Sequence, residues 1–156
     1  MNAMNSTAPS GNGAPAPAQA AGVADPITLE VIHNRLESIS REMSNITLRT
    51  ARSSVVHSGR DFSCALFDSR GQLLTIGTSI PPHIMPMLVG MQSALKQYQD
   101  DIAPGDIFIG NDPYDGGTHL NDVAVFIPMF HQGTLMGFAG NRAHWPDVGG
   151  SVPGSI

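Results

Sequence analysis

The sequence has few of the residues that mark several common protein classes. Its 156 residues include one cysteine and one tryptophan, and its formal net charge is -5. The lone Cys64 excludes an internal disulfide and is consistent with a reducing cytosol, so we expect a cytoplasmic protein. No basic stripe is present, which argues against a nucleic-acid partner. No stretch approaches the roughly 20 apolar residues that span a membrane, so no membrane association is expected.

The first 24 residues lack the side chains that build a core. They contain no acidic, basic or aromatic residue and consist mainly of Ala, Pro, Gly, Ser, Asn and Thr. This composition offers too little apolar area to offset the entropy cost of ordering the chain, and it predicts a disordered low-complexity tail. The segment does not resemble a signal peptide, because it has no basic start and no continuous apolar run. Residues 25–156 remain to fold.

A phosphate-binding loop is also missing. Neither GxxxxGK[ST] nor GxGxxG occurs, and the glycine-rich segment 110–117 has no lysine. Any nucleotide chemistry is therefore expected to come from elsewhere.

The folded part begins with a helix signal. Asp25 suits the N-cap of a helix and Pro26 its first turn. Apolar residues then recur at alternating steps of four and three, at Ile32, Leu36, Ile39, Met43 and Ile46. This spacing predicts a helix of about six or seven turns whose apolar stripe packs into the core.

Shorter elements follow. Residues 62–67 and 72–76 flank the turn-forming segment 68–71, which predicts a β-hairpin. The pattern also predicts a loop over 77–82, a helical stripe over 87–95, strands over 106–109, 123–127 and 134–139, and a turn over 130–133. The expected fold is α+β, a long N-terminal helix followed by mostly antiparallel strands. Because the chain ends in a glycine-rich loop, we expect an incomplete domain.

Two segments carry residues suited to chemistry. Residues 111–122 and 141–150 each place a His and an Asp three residues apart, as His119 with Asp122 and His144 with Asp147. A hairpin of the strands between these segments brings both pairs together. Two imidazoles and one or two carboxylates suit a divalent metal such as Zn, Mn or Fe better than Ca. The alternative is that each His is a turn residue bonded to backbone.

Other polar residues have two interpretations each. Asp112 is either a turn former or a catalytic base, and Arg142 either binds a carboxylate or phosphate or forms a structural ion pair. His83, expected in a loop, is either structural or a further ligand or substrate contact. Cys64 is expected to be a buried, small apolar residue rather than a nucleophile.

Three segments resemble the hydantoinase B family in order and spacing. They are RDFSCALFD at 60–68, GNDPYDGGTHLND at 110–122 and NRAHWPDVGGSVPGS at 141–155. The resemblance implies a partner subunit of the hydantoinase A type, which uses ATP to phosphorylate a small-molecule substrate. The B-type subunit then completes hydrolysis of a cyclic amide, a hydantoin or 5-oxoproline, at a metal. A carboxylase acting on a small ketone is the alternative within the family.

The resemblance also implies roles for individual residues. The family's His-x-x-Asp pair and later His map onto His119, Asp122 and His144 as metal ligands, which leaves Asp147 to orient a ligand or relay a proton. Family members are several times longer, so this chain is expected to be an N-terminal fragment that is inactive in isolation. A catalytically silent module, docking to a partner through the helix at 27–50, is the alternative from another class.

Overall fold

A computed structural model describes residues 24–77, 80–98, 101–152 and 155. The predicted disordered tail, residues 1–24, lies outside the described residues except for Ala24. None of the helices in the described ranges combines the length and apolar character needed to cross a membrane. The elements in chain order are α1 (Pro26–Thr50), α2 (Ser54–His57), β1 (Phe62–Asp68), β2 (Leu73–Ile76), α3 (Pro81–Tyr98), β3 (Phe108–Gly110), β4 (Asp122–His131) and β5 (Thr134–His144).

The described strands form a five-stranded sheet in the order β2-β1-β5-β4-β3. Every neighbouring pair is antiparallel. The predicted α+β fold with antiparallel strands is therefore confirmed. The hairpin predicted over 62–76 is also confirmed, and Asp68 Oδ1 closes its turn by accepting from the backbone N–H groups of Arg70 and Gln72.

Helix α1 begins where the sequence predicts. Asp25 Oδ1 accepts from the backbone N–H groups of Ile27 and Thr28, and Asp25 Oδ2 accepts from the Thr28 hydroxyl at 2.6 Å. These bonds satisfy donors that have no partner inside the first turn of a helix. The hydrogen bond from the Thr28 side chain is the main reason that the pKa of Asp25 lies below its usual value.

The predicted core stripe of α1 is partly wrong. Ile32 and Ile46 are 48% and 53% exposed, whereas the fully buried residues of the helix are Ser40 and Ser44. A Cβ on Gly77, just after β2, would lie only 2.3 Å from Ser40 O and from Ser44 Oγ. The backbone of α1 thus lies close to the sheet where both carry small residues. The apolar residues at the two ends of the stripe lie beyond this contact and stay exposed.

The two faces of the sheet carry different helices, because side chains alternate between faces along each strand. Ala65 and Phe67 of β1 pack with Met87 and Met91 of α3, in a cluster that includes Phe126 and Phe138. Phe62 and Cys64 point to the opposite face, towards Val56 and Met43. By the same alternation, Asp122, Arg142 and His144 lie on the α3 face.

Several element boundaries differ from the prediction: β3 lies two residues later at its start than the strand expected over 106–109, and β4 and β5 run longer than 123–127 and 134–139. Residues 130 and 131 belong to β4, and the turn to β5 consists of Gln132 and Gly133, both with positive φ (49° and 79°). Such two-residue turns match the twist of a hairpin and let the strands pair to their ends. The loop predicted over 77–82 ends early, because α3 begins at Pro81, a residue type well suited to a first helical turn. His83 therefore lies in a helix, not in a loop.

Candidate metal centre

Three side chains from the two predicted segments converge at one end of the β4–β5 hairpin. His119, Asp122 and His144 each offer a ligand atom, and these atoms all lie within 4.8 Å of one another. Asp122 is the first residue of β4 and His144 the last of β5, and they are register partners. The structure thus brings together the three predicted ligands.

The loop that carries His119 is fastened to the end of β5. Trp145 N donates to Asn121 O at 2.8 Å, and Asn121 Nδ2 donates to Trp145 O at 3.0 Å. The His119 and His144 rings meet edge to face with centroids 5.0 Å apart. His119 remains 53% exposed and borders a surface depression lined also by Thr118 and Leu120. The site is therefore rigid on its sheet side and open on its loop side.

The two oxygens of Asp122 have different surroundings. Oδ2 accepts a short hydrogen bond from the Thr118 hydroxyl and lies 3.5 Å from His83 Nε2 and 3.6 Å from Arg142 Nη2. Oδ1 is buried, has no hydrogen-bond partner among the described residues and lies 3.4 Å from His144 Nδ1. Oδ2 is therefore held by the protein, while Oδ1 is left available on the His144 side.

The carboxyl of Asp122 is charged despite its burial. Burial raises the pKa of Asp122, but the hydrogen bond from Thr118 and the neighbouring His119, His83 and Arg142 lower it by more, and the pKa lies below its usual value. An ionised carboxylate at this depth supplies the negative charge that a cation site needs.

Arg142 organises the loop in front of Asp122. Its side chain is 1% exposed, Nη1 donates to Gly116 O at 2.9 Å and Nη2 donates to Thr118 Oγ1 at 3.0 Å. Burial lowers the pKa of Arg142, and Asp122 partly opposes that effect. Of the two interpretations from the sequence, the structure supports the structural ion pair.

The residues present fit a divalent metal. Two ligands of one Zn²⁺, each about 2.0–2.2 Å from it, lie about 3–3.5 Å apart. Asp122 Oδ1 lies 3.4 Å from His144 Nδ1, within that range, and the ligand atoms of all three residues lie within 4.8 Å of one another. A buried carboxylate oxygen beside the His144 imidazole, with no hydrogen-bond partner among the described residues, is an arrangement that a cation would complete.

The two predicted catalytic aspartates are both exposed turn residues. Asp112 Oδ1 accepts from Tyr114 N, and the carbonyl of Asp112 accepts from Asp115 N and Gly117 N. Asp147 Oδ1 accepts from Gly149 N at 3.3 Å. Neither belongs to the converging group, so their catalytic roles stay predictions.

Sequence reasoning missed the depth of His83 and the position of Asp61. His83 is 4% exposed, and its Nε2 lies 3.4 Å from Asp61 Oδ1 as well as near Asp122. The carbonyl of Asp61 accepts from His144 N, which places Asp61 beside the end of β5. The pair of prolines before His83 is the signal that could have placed it in a helix. Burial lowers the pKa of His83, with Asp122 and Asp61 opposing.

The site is a candidate cation centre at the end of an antiparallel hairpin, and the comparisons identify the family. Residues 25–156 match the Hydantoinase B/oxoprolinase family, and the chain belongs to it. The chain is 38% identical to Saccharomyces cerevisiae 5-oxoprolinase over 85% of its own length and 10% of that protein. It is 37% identical to the caprolactamase β subunit of Pseudomonas jessenii, over 83% of its length and 22% of that subunit.

Solved structures agree with these relatives. The ATP-dependent caprolactamase of Pseudomonas jessenii superposes with a TM-score of 0.76 at 36% identity, over 84% of this chain and 23% of that one. Acetone carboxylase superposes with a TM-score of 0.76 at 25% identity, over 84% of this chain and 18% of that one. The chain spans about a tenth to a quarter of the length of the curated relatives it matches. The described fold corresponds to part of these larger chains, as the sequence predicted.

Proposed function

We propose that this chain carries the metal-binding part of a hydantoinase B-type subunit that hydrolyses a cyclic amide in an ATP-coupled reaction. The observation that carries the proposal is the meeting of His119, Asp122 and His144, with one oxygen of Asp122 buried and free of hydrogen bonds. Membership of the family, with relatives named 5-oxoprolinase and ATP-dependent caprolactamase, supports the cyclic amide as substrate class.

The three side chains would hold a divalent cation, with Zn, Mn and Fe as the candidates for this donor set. Bound there, the cation would supply Lewis acidity for a carbonyl group. The chain's own residues prepare the site for that task. Thr118 and Arg142 fix one oxygen of Asp122, and β5 pairing fixes the position of His144. The exposed His119 would complete the set from the solvent side.

The coupling to ATP is assigned to a partner subunit of the hydantoinase A type. The sequence has no phosphate-binding loop of its own. The partner would transfer the γ-phosphoryl group of ATP to the amide oxygen. Water would then add to the amide carbon and the ring C–N bond would break, with the protons of that water passing to nitrogen, which leaves an acyl phosphate. A second water would release phosphate, so the products are the ring-opened amino or carbamoyl acid, ADP and phosphate. Asp112 and Asp147 are proposed to serve this hydrolysis, as a base and as a ligand-orienting or proton-relaying residue.

Carboxylation of a small ketone is the second candidate, since acetone carboxylase superposes on this chain as well as caprolactamase does. The two functions differ in product. The subunit containing this sequence, expressed with its A-type partner, should open 5-oxoproline, caprolactam or a hydantoin only when ATP is present. Fixation of labelled bicarbonate onto acetone without ring opening would favour the carboxylase, and ring opening by this chain alone would contradict the proposed division of labour.

Metal binding is tested separately on this chain. Zn²⁺ or Mn²⁺ titrated by calorimetry should bind wild type, and His119→Ala and His144→Ala should each weaken binding strongly. His131→Ala is the matched control, because His131 is exposed at the opposite end of β4. Equal binding by wild type and all three variants, or none by wild type, would instead favour a silent interaction module.

A further inference from the structure

His83 lies between two carboxylates of different elements. Its Nε2 is 3.4 Å from Oδ1 of Asp61, just before β1, and 3.5 Å from Oδ2 of Asp122, at the start of β4. The His83 side chain is 5% exposed, so water does not separate these groups freely. Each separation is an ion-pair distance, slightly longer than a direct N–H···O hydrogen bond, so the ring nitrogen faces both carboxylates at nearly equal range.

The surroundings of both ring nitrogens favour one tautomer of the neutral ring. His83 Nδ1 lies 3.1 Å from Ser63 Oγ, and that oxygen accepts the backbone N–H of Ile80 at 3.1 Å. The Ser63 hydroxyl can still donate to Nδ1. Because the two carboxylates act only as acceptors, a neutral ring with its hydrogen on Nε2 presents a donor to both of them.

We propose that His83 is a positioning residue: its Nε2–H holds Asp61 and Asp122 together, and so turns Oδ1 of Asp122 towards His144. The carboxylates of Asp61, which is partly exposed, and of the buried Asp122 both face His83 Nε2, and two such charges repel each other unless a donor lies between them. Without that donor, Asp122 would rotate or move towards water, and its free oxygen would leave the position beside His144. The inference rests on the proposed function, because the geometry it protects is that of the metal ligands.

Two substitutions of His83 distinguish the effect of the Nε2–H donor from the effect of the ring's volume. His83→Gln keeps an N–H near the position of Nε2, whereas His83→Leu fills a similar volume and donates nothing. With Zn²⁺ alone as the probe, His83→Leu should bind about 10–100-fold more weakly than wild type, and His83→Gln within about threefold of it. With Co²⁺, the visible absorption spectrum should change in His83→Leu and be retained in His83→Gln. Far-ultraviolet circular dichroism checks that both variants fold.

A second measurement needs no metal. Imidazole ¹⁵N nuclear magnetic resonance of the metal-free chain should show His83 as the Nε2–H tautomer, and Ser63→Ala should shift its Nδ1 signal. An Nδ1–H tautomer would overturn the inference. A folded His83→Leu chain that binds Zn²⁺ as tightly as wild type would also overturn the inference, but that result would leave the proposed function intact. A wild-type chain that binds no Zn²⁺ or Mn²⁺ would remove the proposed function and this inference together.

Discussion

Asp122 and His144 face each other across the β4–β5 hairpin as register partners, with Asp122 Oδ1 3.4 Å from His144 Nδ1. Residues far apart in sequence are thus held by an antiparallel ladder rather than by loops. A one-residue slip of that ladder would turn one of the two side chains to the opposite face of the sheet. Strand pairing therefore determines whether these two side chains can act on the same ion.

Arg142→Met should strongly destabilise the chain. The substitution keeps much of the length of the side chain but removes the guanidinium partner of the buried Asp122 and the donors to Gly116 and Thr118. Removing one partner of a buried ion pair costs about 3–5 kcal/mol, which urea unfolding can measure. Arg70→Met is the control, since Arg70 pairs with Asp68 but is 79% exposed, and a change of about 1 kcal/mol or less is expected. Equal stability of the two variants would contradict the role given to Arg142.

Gly77→Ala should push α1 away from the sheet. The added Cβ would meet the backbone of Ser40 and the hydroxyl of Ser44, and backbone cannot yield as a flexible side chain does. Overpacking of this kind costs about 1–3 kcal/mol, and the melting temperature should fall accordingly. Gly110→Ala is the matched control, because a Cβ there meets nothing within 4 Å. A Gly77→Ala chain that melts with wild type would show that α1 packs differently.

Asp25→Ala should lower the melting temperature near neutral pH by removing the cap of α1. The pKa of Asp25 is lowered in the folded chain from its ordinary 3.8, so its contribution is complete above that pH and is lost as the pH falls through the folded-state value. The difference between wild type and Asp25→Ala should therefore shrink in acid. Asp25→Asn, which caps without titrating, should match wild type near neutral pH. A difference that is constant down to strong acid would rule out this account of the cap.

Substitutions of Asp112 and Asp147 are expected to affect turnover without affecting metal binding. If they act on the substrate, Asp112→Asn and Asp147→Asn should reduce kcat of the subunit with its partner by about 100-fold or more, with Zn²⁺ affinity unchanged. Asp106→Asn is a control for loss of a turn, because Asp106 also accepts a turn hydrogen bond, from Ala103 N. Full activity in both Asn variants would leave these residues as turn formers only.

The sequence predicted that the three candidate ligands lie close together, because they sit next to clear patterns. A hairpin between two His- and Asp-bearing segments was enough to bring His119, Asp122 and His144 together. Asp147 has the same spacing but follows the end of β5, and periodicity cannot tell where a chain turns after a strand. His83 was missed because its burial depends on how α3 packs across the sheet, a long-range contact that local spacing does not contain. The exposed ends of the α1 stripe were missed for the same reason.

The central claim, that one cation is held by His119, Asp122 and His144, is tested most directly by anomalous X-ray diffraction. Crystals of the chain grown with Zn²⁺ should show one strong peak at the zinc edge, about 2.0–2.2 Å from an atom of each of the three side chains. A peak only at other side chains, such as the exposed His33 and Glu37 pair, or no peak at all, would contradict the claim.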